Sequence, residues 1–299
     1  ANAIQLQFFV PEETLTPNHE AWDIINKIAF SESDWKYIVD YAKTKNILIF
    51  VCTYDLISVK WAIKMGVDGI KLNSSDLSNP EVLYAVSKSK IPFTLGTGAS
   101  TIEEINSGLI YCSENGAENI ILMHGVQNFP TKNKDLNISR VGLLKKIFSN
   151  YKIGYADHTE GGDSFSLVVD LIALGNGAEV FEKHITIDRS EKGVDYQAAL
   201  EPDEFIVYCN NLRKAAEAFG NGELKKLSES DLKYRKFQKK SIIAREDIPN
   251  GTILKRKHFY FARNIDPGLP PVNIDVFIGK KIKKDISKYD NIKYSDIDI

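Results

Sequence analysis

Residues 152–184, KIGYADHTEGGDSFSLVVDLIALGNGAEVFEKH, contain the pattern that decides the fold. Two short, largely apolar runs, KIGYADH and EVFEKH, flank the longer apolar stretch SFSLVVDLIALG, which has the length of a helix. A strand, a helix and a second strand in this order predict a βαβ unit, in which the two strands lie parallel.

The same alternation runs through most of the chain. Seven strand-like runs recur about every 25–30 residues, at 3–9, 47–53, 69–73, 92–97, 119–124, 152–158 and 179–184. Most of them precede a helical stretch, so the pattern predicts a parallel α/β sheet. A doubly wound sheet satisfies the same pattern. A TIM-type (β/α) barrel is favoured over the doubly wound sheet by three observations. The units are of near-equal length, no GxGxxG motif follows the first run, and polar residues lie at the strand ends.

The composition is that of an ordinary globular protein, with 299 residues, 43% hydrophobic and 26% charged, and a net charge of −2. This charge gives no support for a nucleic-acid or membrane-surface role. No apolar run approaches the roughly 20 residues of a transmembrane helix, and the first residues lack the basic region of a signal peptide, so we expect a cytoplasmic protein. Cys52, Cys112 and Cys209 are odd in number and far apart, which argues against a disulfide framework and a zinc cluster.

The chain divides into three predicted parts. Residues 1–222 form the barrel portion, residues 223–240 form a charged linker, and residues 241–299 contain short strands broken by turns. The last part, a small β-rich domain, is too short for a generous core. We therefore expect it to dock on the barrel or on another subunit.

Histidines close three of the strand-like runs, at His124, His158 and His184. With a strand period of two, Glu182 and His184 point to one side of their strand and Lys183 to the other. Imidazoles from neighbouring strand ends, combined with oxygen ligands, suit a borderline divalent ion such as Mn²⁺ or Fe²⁺. The alternative is a core histidine bonded to the backbone, and this is the interpretation we favour for His124.

Other strand ends carry hydroxyl and cationic side chains, namely Thr53, Lys71 and Ser74. A lysine at the end of a buried strand, beside hydroxyls and the N–H groups of a helix start, is suited to a phosphate or carboxylate. Such hydroxyls can also serve only as helix caps, the role predicted for Asn79 and Thr101.

Several motifs resemble those of the sialic acid synthase family, whose members make nonulosonic acids: GIKLNSSDLSNP, LGTGASTIEEI, HGVQNFPT, GYADHTEG, EVFEKHITIDR and ALEPDEF. The resemblance covers nearly the whole chain, because residues 241–299 are similar to that family's antifreeze-like (SAF) carboxy-terminal domain. It implies condensation of phosphoenolpyruvate with an N-acetylmannosamine-type amino sugar, with release of phosphate. It also implies a divalent metal, Mn²⁺ first with Mg²⁺ or Co²⁺ as alternatives, and a homodimer with swapped carboxy-terminal domains.

The resemblance assigns a role to individual residues. It implies metal ligands at His158 and His184; catalytic carboxylates at Glu182 and Asp195; phosphoenolpyruvate contacts at Thr53, Lys71, Ser74 and Gln127; and sugar contacts at Gln7, Phe129, Tyr196 and Arg263.

The chain also departs from the family pattern. Gln5, Gly96, Ala156 and Tyr196 stand where the family usually has lysine, serine, serine and histidine, and Gln127 and Phe129 replace asparagine and tyrosine. The family's first strand and helix are absent, so we expect the chain to be a fragment of a longer one, with a divergent shortened form as the alternative. The sequence does not distinguish neuraminic, legionaminic and pseudaminic precursors.

Two other functions stay open at this point. A different barrel lyase or aldolase is compatible with the same residues, and a Schiff-base aldolase would have to use Lys71. A non-catalytic or weakly active carbohydrate-binding protein is compatible with the departures from the family pattern.

Overall fold

A computed structural model describes residues 1–220, 222 and 226–298. They belong to two compact units, Ala1–Gly220 and Asn221–Ile299. The first three residues of the predicted linker, 223–225, lie outside the described residues. The rest of that linker contains a helix, described below with the other helices.

The first unit has the TIM-type α/β fold that the sequence predicted. Its sheet joins seven of the described strands in chain order, and each pairs in parallel with the next. The strands are β1 (Ala3–Phe8), β2 (Leu48–Thr53), β3 (Gly69–Leu72), β4 (Phe93–Gly96), β5 (Ile120–His124), β6 (Lys152–Asp157) and β7 (Val180–Lys183). The sheet is curled, because Lys71 on β3 and Glu182 on β7 meet across its inner face.

Helices follow most of the strands and cover the outer face of the sheet. They are α1 (Pro11–Thr14), α2 (Trp22–Ile28), α3 (Glu32–Lys43), α4 (Leu56–Met65), α5 (Pro80–Ser89), α6 (Ile102–Glu114), α7 (Ser139–Ile147), α8 (Val169–Gly175) and α9 (Pro202–Phe219). The second unit contains a helix of its own, α10 (Glu229–Gln238). No helix within the described residues combines the length and the apolar character needed to cross a bilayer.

Side chains near the strand ends start several helices. The Asn79 side chain accepts a hydrogen bond from the Val82 N–H at the start of α5. Thr101 and Glu104 form a capping box on α6, so both predicted caps are confirmed. A side-chain cap of this kind contributes about 0.5–2 kcal/mol to stability. It also fixes the residue at which the helix begins and the loop from the preceding strand ends.

The core of the first unit lies between the sheet and the helices. Outward-facing strand side chains such as Ile49, Ile70 and Leu122 pack with helix residues such as Val59 and Leu144, all of them fully buried. Burial of each such side chain contributes about 1.5–3 kcal/mol. The strands are therefore held from outside, which leaves their inner face available for polar side chains.

The second unit pairs β8 (Ser241–Ala244) antiparallel with β9 (Phe259–Ala262). It has its own buried cluster, which includes Ile242, Phe259 and Phe277. Bridges between distant turns bury isoleucines that are scattered in the sequence, so this short part has a core of its own. Its docking onto the barrel or a partner stays a prediction.

Candidate active site

A cavity of about 550 Å³ lies at the carboxyl ends of the strands of the first unit. Most of the site residues predicted from the sequence line it: Gln7, Lys71, Ser74, Gln127, Phe129, His158, Glu182, His184 and Asp195. These residues come from five strand ends and the loops that follow them. The topology, rather than sequence proximity, therefore brings them together.

Three predicted residues lie elsewhere. Thr53 is fully buried, whereas its neighbours Cys52 and Tyr54 line the cavity, so the strand period turns Thr53 toward the helices. Tyr196 lies in the short turn after Asp195, and it is not among the residues lining the cavity. Arg263 directly follows β9 in the second unit and is exposed.

Several cavity residues escaped the sequence analysis, among them Tyr54 and Asn73. Both could have been found, because each lies two residues beyond an inward-facing residue, Cys52 and Lys71. The Tyr54 hydroxyl donates to Gln7 Oε1 at 3.1 Å, which leaves the Gln7 amide N–H groups free to face the cavity.

Three potential metal ligands cluster at one end of the cavity. One ligand atom each from His158, Glu182 and His184 lies within 4.8 Å of the other two. His158 and His184 come from the ends of adjacent strands β6 and β7, and Glu182 shares the inward face of β7 with His184. The shared face of Glu182 and His184 is as predicted.

Hydrogen bonding and burial prepare the two imidazoles for metal binding. His158 Nδ1 lies 2.7 Å from the Val126 carbonyl oxygen, so Nδ1 carries the proton and Nε2 keeps a free lone pair. Burial lowers the pKa of both His158 and His184, against opposing hydrogen-bond and charge effects. Both rings are therefore neutral near pH 7, the form in which a metal is bound.

Phe129 covers the histidine pair. Its ring centroid lies 4.4 Å from that of His158 and 5.6 Å from that of His184, and the two imidazole centroids are 5.1 Å apart. The aromatic ring limits the access of water to the imidazoles and forms an apolar wall beside the potential ligands.

Lys71 and Glu182 form a buried ion pair next to the histidines, with Nζ 2.5 Å from Oε1. Burial is the largest single effect and lowers the pKa of Lys71, but the charge of Glu182, the nearby Cys52 and the hydrogen bond to Glu182 together hold the pKa above its ordinary value. Burial is likewise the largest single effect on Glu182 and raises its pKa, but the charge and hydrogen bond of Lys71, together with the two histidines, hold the pKa below its usual range. Both groups are therefore charged at neutral pH.

The donor set of this cluster fits a divalent transition ion. Two neutral imidazole nitrogens and an ionised carboxylate suit Mn²⁺, Fe²⁺ or Co²⁺, whereas Mg²⁺ prefers an all-oxygen set. Cys52 is a poor ligand or nucleophile here, because burial raises the pKa of its thiol to about 11 and keeps it protonated.

Gly96, one of the departures from the family pattern, has a local structural reason. A Cβ atom at Gly96 would lie 2.8 Å from the backbone nitrogen of Ser74. The loop that carries Ser74 thus approaches β4 too closely for the usual serine. The absence of a side chain at Gly96 permits this close approach of the Ser74 backbone.

Comparisons with known proteins identify a family and several relatives. The model of the NeuB family matches residues 1–224. An uncharacterised protein of Methanocaldococcus jannaschii is 30% identical over 99% of this chain and 86% of its own length. The N,N'-diacetyllegionaminic acid synthase of Campylobacter jejuni is 30% identical over 93% of this chain and 82% of its own.

A solved structure matches as well. The N-acetylneuraminic acid (sialic acid) synthetase of Leptospira borgpetersenii superposes with a TM-score of 0.72 and is 28% identical, covering 79% of this chain and 81% of its own.

Proposed function

The chain belongs to the NeuB family, and we propose that it condenses phosphoenolpyruvate with an N-acetylmannosamine-type amino sugar to give a nonulosonic acid and inorganic phosphate. The observation that carries this proposal is the arrangement of His158, Glu182 and His184 in the same cavity as Lys71. It combines a metal-ligand set with a buried cation, and the reaction needs both an activated carbonyl and an anion site.

Phosphoenolpyruvate would bind on the Lys71 side of the cavity. Lys71 supplies a fixed positive charge, and Ser74 and Gln127 supply a hydroxyl and an amide to the phosphate or carboxylate. Gln7 and Phe129 also line the cavity, and an amide and a ring face suit the hydroxyls and the N-acetyl group of a sugar.

The reaction forms a carbon–carbon bond between C3 of phosphoenolpyruvate and C1 of the open-chain sugar. His158, His184 and Glu182 would hold a divalent ion, Mn²⁺ in our proposal, and such an ion would supply Lewis-acid activation of the sugar aldehyde. Water adds at C2, and breakage of the C2–O bond releases phosphate. We propose that Glu182 and Asp195, which both line the cavity, are the carboxylates that accept the proton of this water or position the sugar hydroxyls.

The proposal names a class of amino sugar and not a single compound. The two named synthases above make a legionaminic acid derivative and N-acetylneuraminic acid, so relatives with similar identity differ in product. We propose an amino sugar with an N-acetyl group beside the aldehyde, as both products require.

The assembly is likewise proposed rather than observed. We propose a homodimer in which the second unit of one chain covers the cavity of its partner and presents Arg263 to the sugar. The support is the resemblance of residues 241–299 to the SAF domain and the exposure of Arg263.

A phosphate-release assay tests the proposed function. The metal-stripped protein is mixed with phosphoenolpyruvate, Mn²⁺ and a panel of N-acetylmannosamine-type sugars, with His184→Gln as the inactive control. Phosphate release that requires both a sugar and Mn²⁺ supports the proposal. Sugar binding with no phosphate release from any of the panel would instead indicate a carbohydrate-binding protein.

The Schiff-base alternative is disfavoured by one observation. A Schiff-base lysine must lose its proton, whereas Glu182 holds the pKa of Lys71 above its ordinary value. Borohydride reduction in the presence of pyruvate, followed by mass spectrometry, should therefore leave Lys71 unmodified.

A further inference from the structure

A second charged cluster lies behind the metal-ligand set, on the helix side of the sheet. Lys183 Nζ lies 2.5 Å from Asp157 Oδ2 and 3.0 Å from Asp170 Oδ2. The three side chains are at most 2% exposed. The proposed reaction does not use any of them, since all three face away from the cavity.

Further hydrogen bonds tie this cluster to the surrounding elements. The Tyr208 hydroxyl on α9 donates to Asp170 Oδ1 on α8 at 3.2 Å. The Tyr155 hydroxyl donates to Asp157 Oδ1 at 3.1 Å. One lysine on β7 thus joins β6, α8 and α9 at a single point.

The cluster borders both histidines along the chain. Asp157 precedes His158, and its Oδ2 accepts from the backbone N–H and hydroxyl of Thr159, at 3.2 and 2.6 Å. The backbone is therefore fixed on both sides of His158. Lys183 directly precedes His184, as Asp157 directly precedes His158.

The ion pair also fixes the register of the two strands. Asp157 and Lys183 are direct partners across β6 and β7. A slip of a single residue would turn every side chain of one strand to the opposite face and would separate His158 from His184. With Asp157 and Lys183 paired on the outer face, the next residue of each strand, a histidine, is brought to the cavity.

Stability does not explain why such a cluster is kept. Burial of three charges carries a large desolvation cost, and apolar residues of similar volume often stabilise a fold at least as well. Buried ionic groups instead serve conformational specificity in several proteins. This cluster lies directly behind two adjacent histidines, so its position indicates that it specifies their arrangement.

We propose that Lys183, with Asp157 and Asp170, is a positioning group that holds His158 and His184 in the geometry needed to bind a metal ion together. The inference rests on the proposed function, since it assigns a purpose to the histidine pair. Supporting groups around metal-binding histidines typically change metal affinity by roughly 10–100-fold when they are altered.

The test compares two variants with a matched control. Lys183→Met/Asp170→Asn removes one charge of each sign and leaves Asp157 with its hydrogen bonds from Tyr155 and Thr159. Asp170→Asn alone is the milder variant and decides the test if the double variant does not fold. The control, Lys145→Met/Glu179→Gln, removes a half-exposed ion pair between α7 and the residue before β7.

Two measurements are made on each folded protein. Nitrogen-15 spectra of the imidazoles, assigned with His158→Gln and His184→Gln, report the tautomer and surroundings of both rings without metal. Titration with Mn²⁺ alone reports the affinity. We expect shifted signals from both rings and a roughly 10–100-fold weaker Mn²⁺ affinity in the cluster variants, with neither change in the control.

Unchanged imidazole signals and an unchanged Mn²⁺ affinity in a folded cluster variant would overturn the inference. If the wild-type protein binds no Mn²⁺, the metal site of the proposed function fails. The imidazole signals still decide the positioning role in that case, so the two failures are distinguishable.

Discussion

The ammonium of Lys71 and the carboxylate of Glu182 are in contact although β4, β5 and β6 lie between their strands in the sheet. Their contact spans the inner face of the curled sheet. Its chemical consequence is a competition, because a substrate anion that binds Lys71 must share or displace the internal anion Glu182. At the same time, Glu182 is a potential ligand of the metal.

Replacement of Lys71 by methionine should weaken phosphoenolpyruvate binding. A charge-assisted hydrogen bond is worth about 1.5–3 kcal/mol, so kcat/KM for phosphoenolpyruvate should fall by roughly 10–100-fold. Steady-state kinetics with each substrate varied in turn provide the measurement. Lys64→Met, which breaks an exposed ion pair with Glu32, is the control. A change confined to the sugar kinetics would assign Lys71 to another role.

The Glu182→Gln variant should change two affinities in opposite directions. Loss of the carboxylate removes the competitor for Lys71, so inorganic phosphate should bind more tightly than in the wild type. Loss of an anionic ligand should weaken Mn²⁺ binding. Calorimetric titrations with phosphate alone and with Mn²⁺ alone measure the two effects. If both affinities fall together, Glu182 supports the general shape of the cavity and does not compete for Lys71.

The histidine pair should bind a single divalent ion per chain. Either His158→Gln or His184→Gln should abolish bound Mn²⁺ and turnover, because the remaining imidazole and Glu182 leave too few protein ligands. Elemental analysis after metal loading and removal of free ions is the measurement. His19→Gln, at an exposed position, should retain the metal. Unchanged metal content in His158→Gln would contradict the assignment.

Much of this site could be predicted from the sequence, because strand ends, strand period and helix caps are local properties. The shared face of Glu182 and His184 follows from the period of two, and the starts of α5 and α6 follow from Asn79 and Thr101. Thr53 is predicted at the site because it ends β2, but the same period of two turns its side chain away from the cavity that Cys52 and Tyr54 line.

Other features depend on contacts between distant segments. The Lys71–Glu182 pair joins residues 111 positions apart, and the Lys183 cluster depends on the β6–β7 register together with the packing of α8 and α9. The core of the second unit likewise forms from isoleucines with no strand or helix periodicity. Such contacts are fixed by tertiary packing, which a local pattern does not encode.

Asp170 should make the stability of the protein depend on pH. Burial raises its pKa to about 6, with the charge of Lys183 opposing this and that of Asp157 adding to it. Between the unfolded pKa of about 4 and about 6, the folded protein holds a proton that the unfolded chain has released. The stability that this proton contributes is present at low pH and is lost as the pH rises through about 6.

The Asp170→Asn variant does not titrate at this position and escapes that loss. Its free energy of unfolding, relative to that of the wild type, should therefore increase as the pH rises from about 4 to about 7. Urea unfolding at several pH values measures the difference, with Glu179→Gln as a half-exposed control. A difference that is constant or falls with pH would show that Asp170 is ionised throughout this range.

The proposed domain swap makes a specific prediction for mixed dimers. An Arg263→Ala chain lacks the arginine that we propose for the sugar, and a His184→Ala chain lacks a metal ligand, so each homodimer should be inactive or strongly impaired. In a swapped heterodimer, the barrel of the Arg263→Ala chain keeps its histidines and receives an intact Arg263 from its partner. One complete site is then restored.

Without swapping, each chain would have to complete its own site, and neither variant can do so. Subunit exchange is therefore followed by mass spectrometry of differently tagged chains, and phosphate release is measured on the exchanged mixture. Recovered activity that grows with the fraction of mixed dimers is the expected result, because Arg263 follows β9 at an exposed position from which a partner could use it. Complete exchange with no recovered activity would reject the supply of Arg263 by a partner chain.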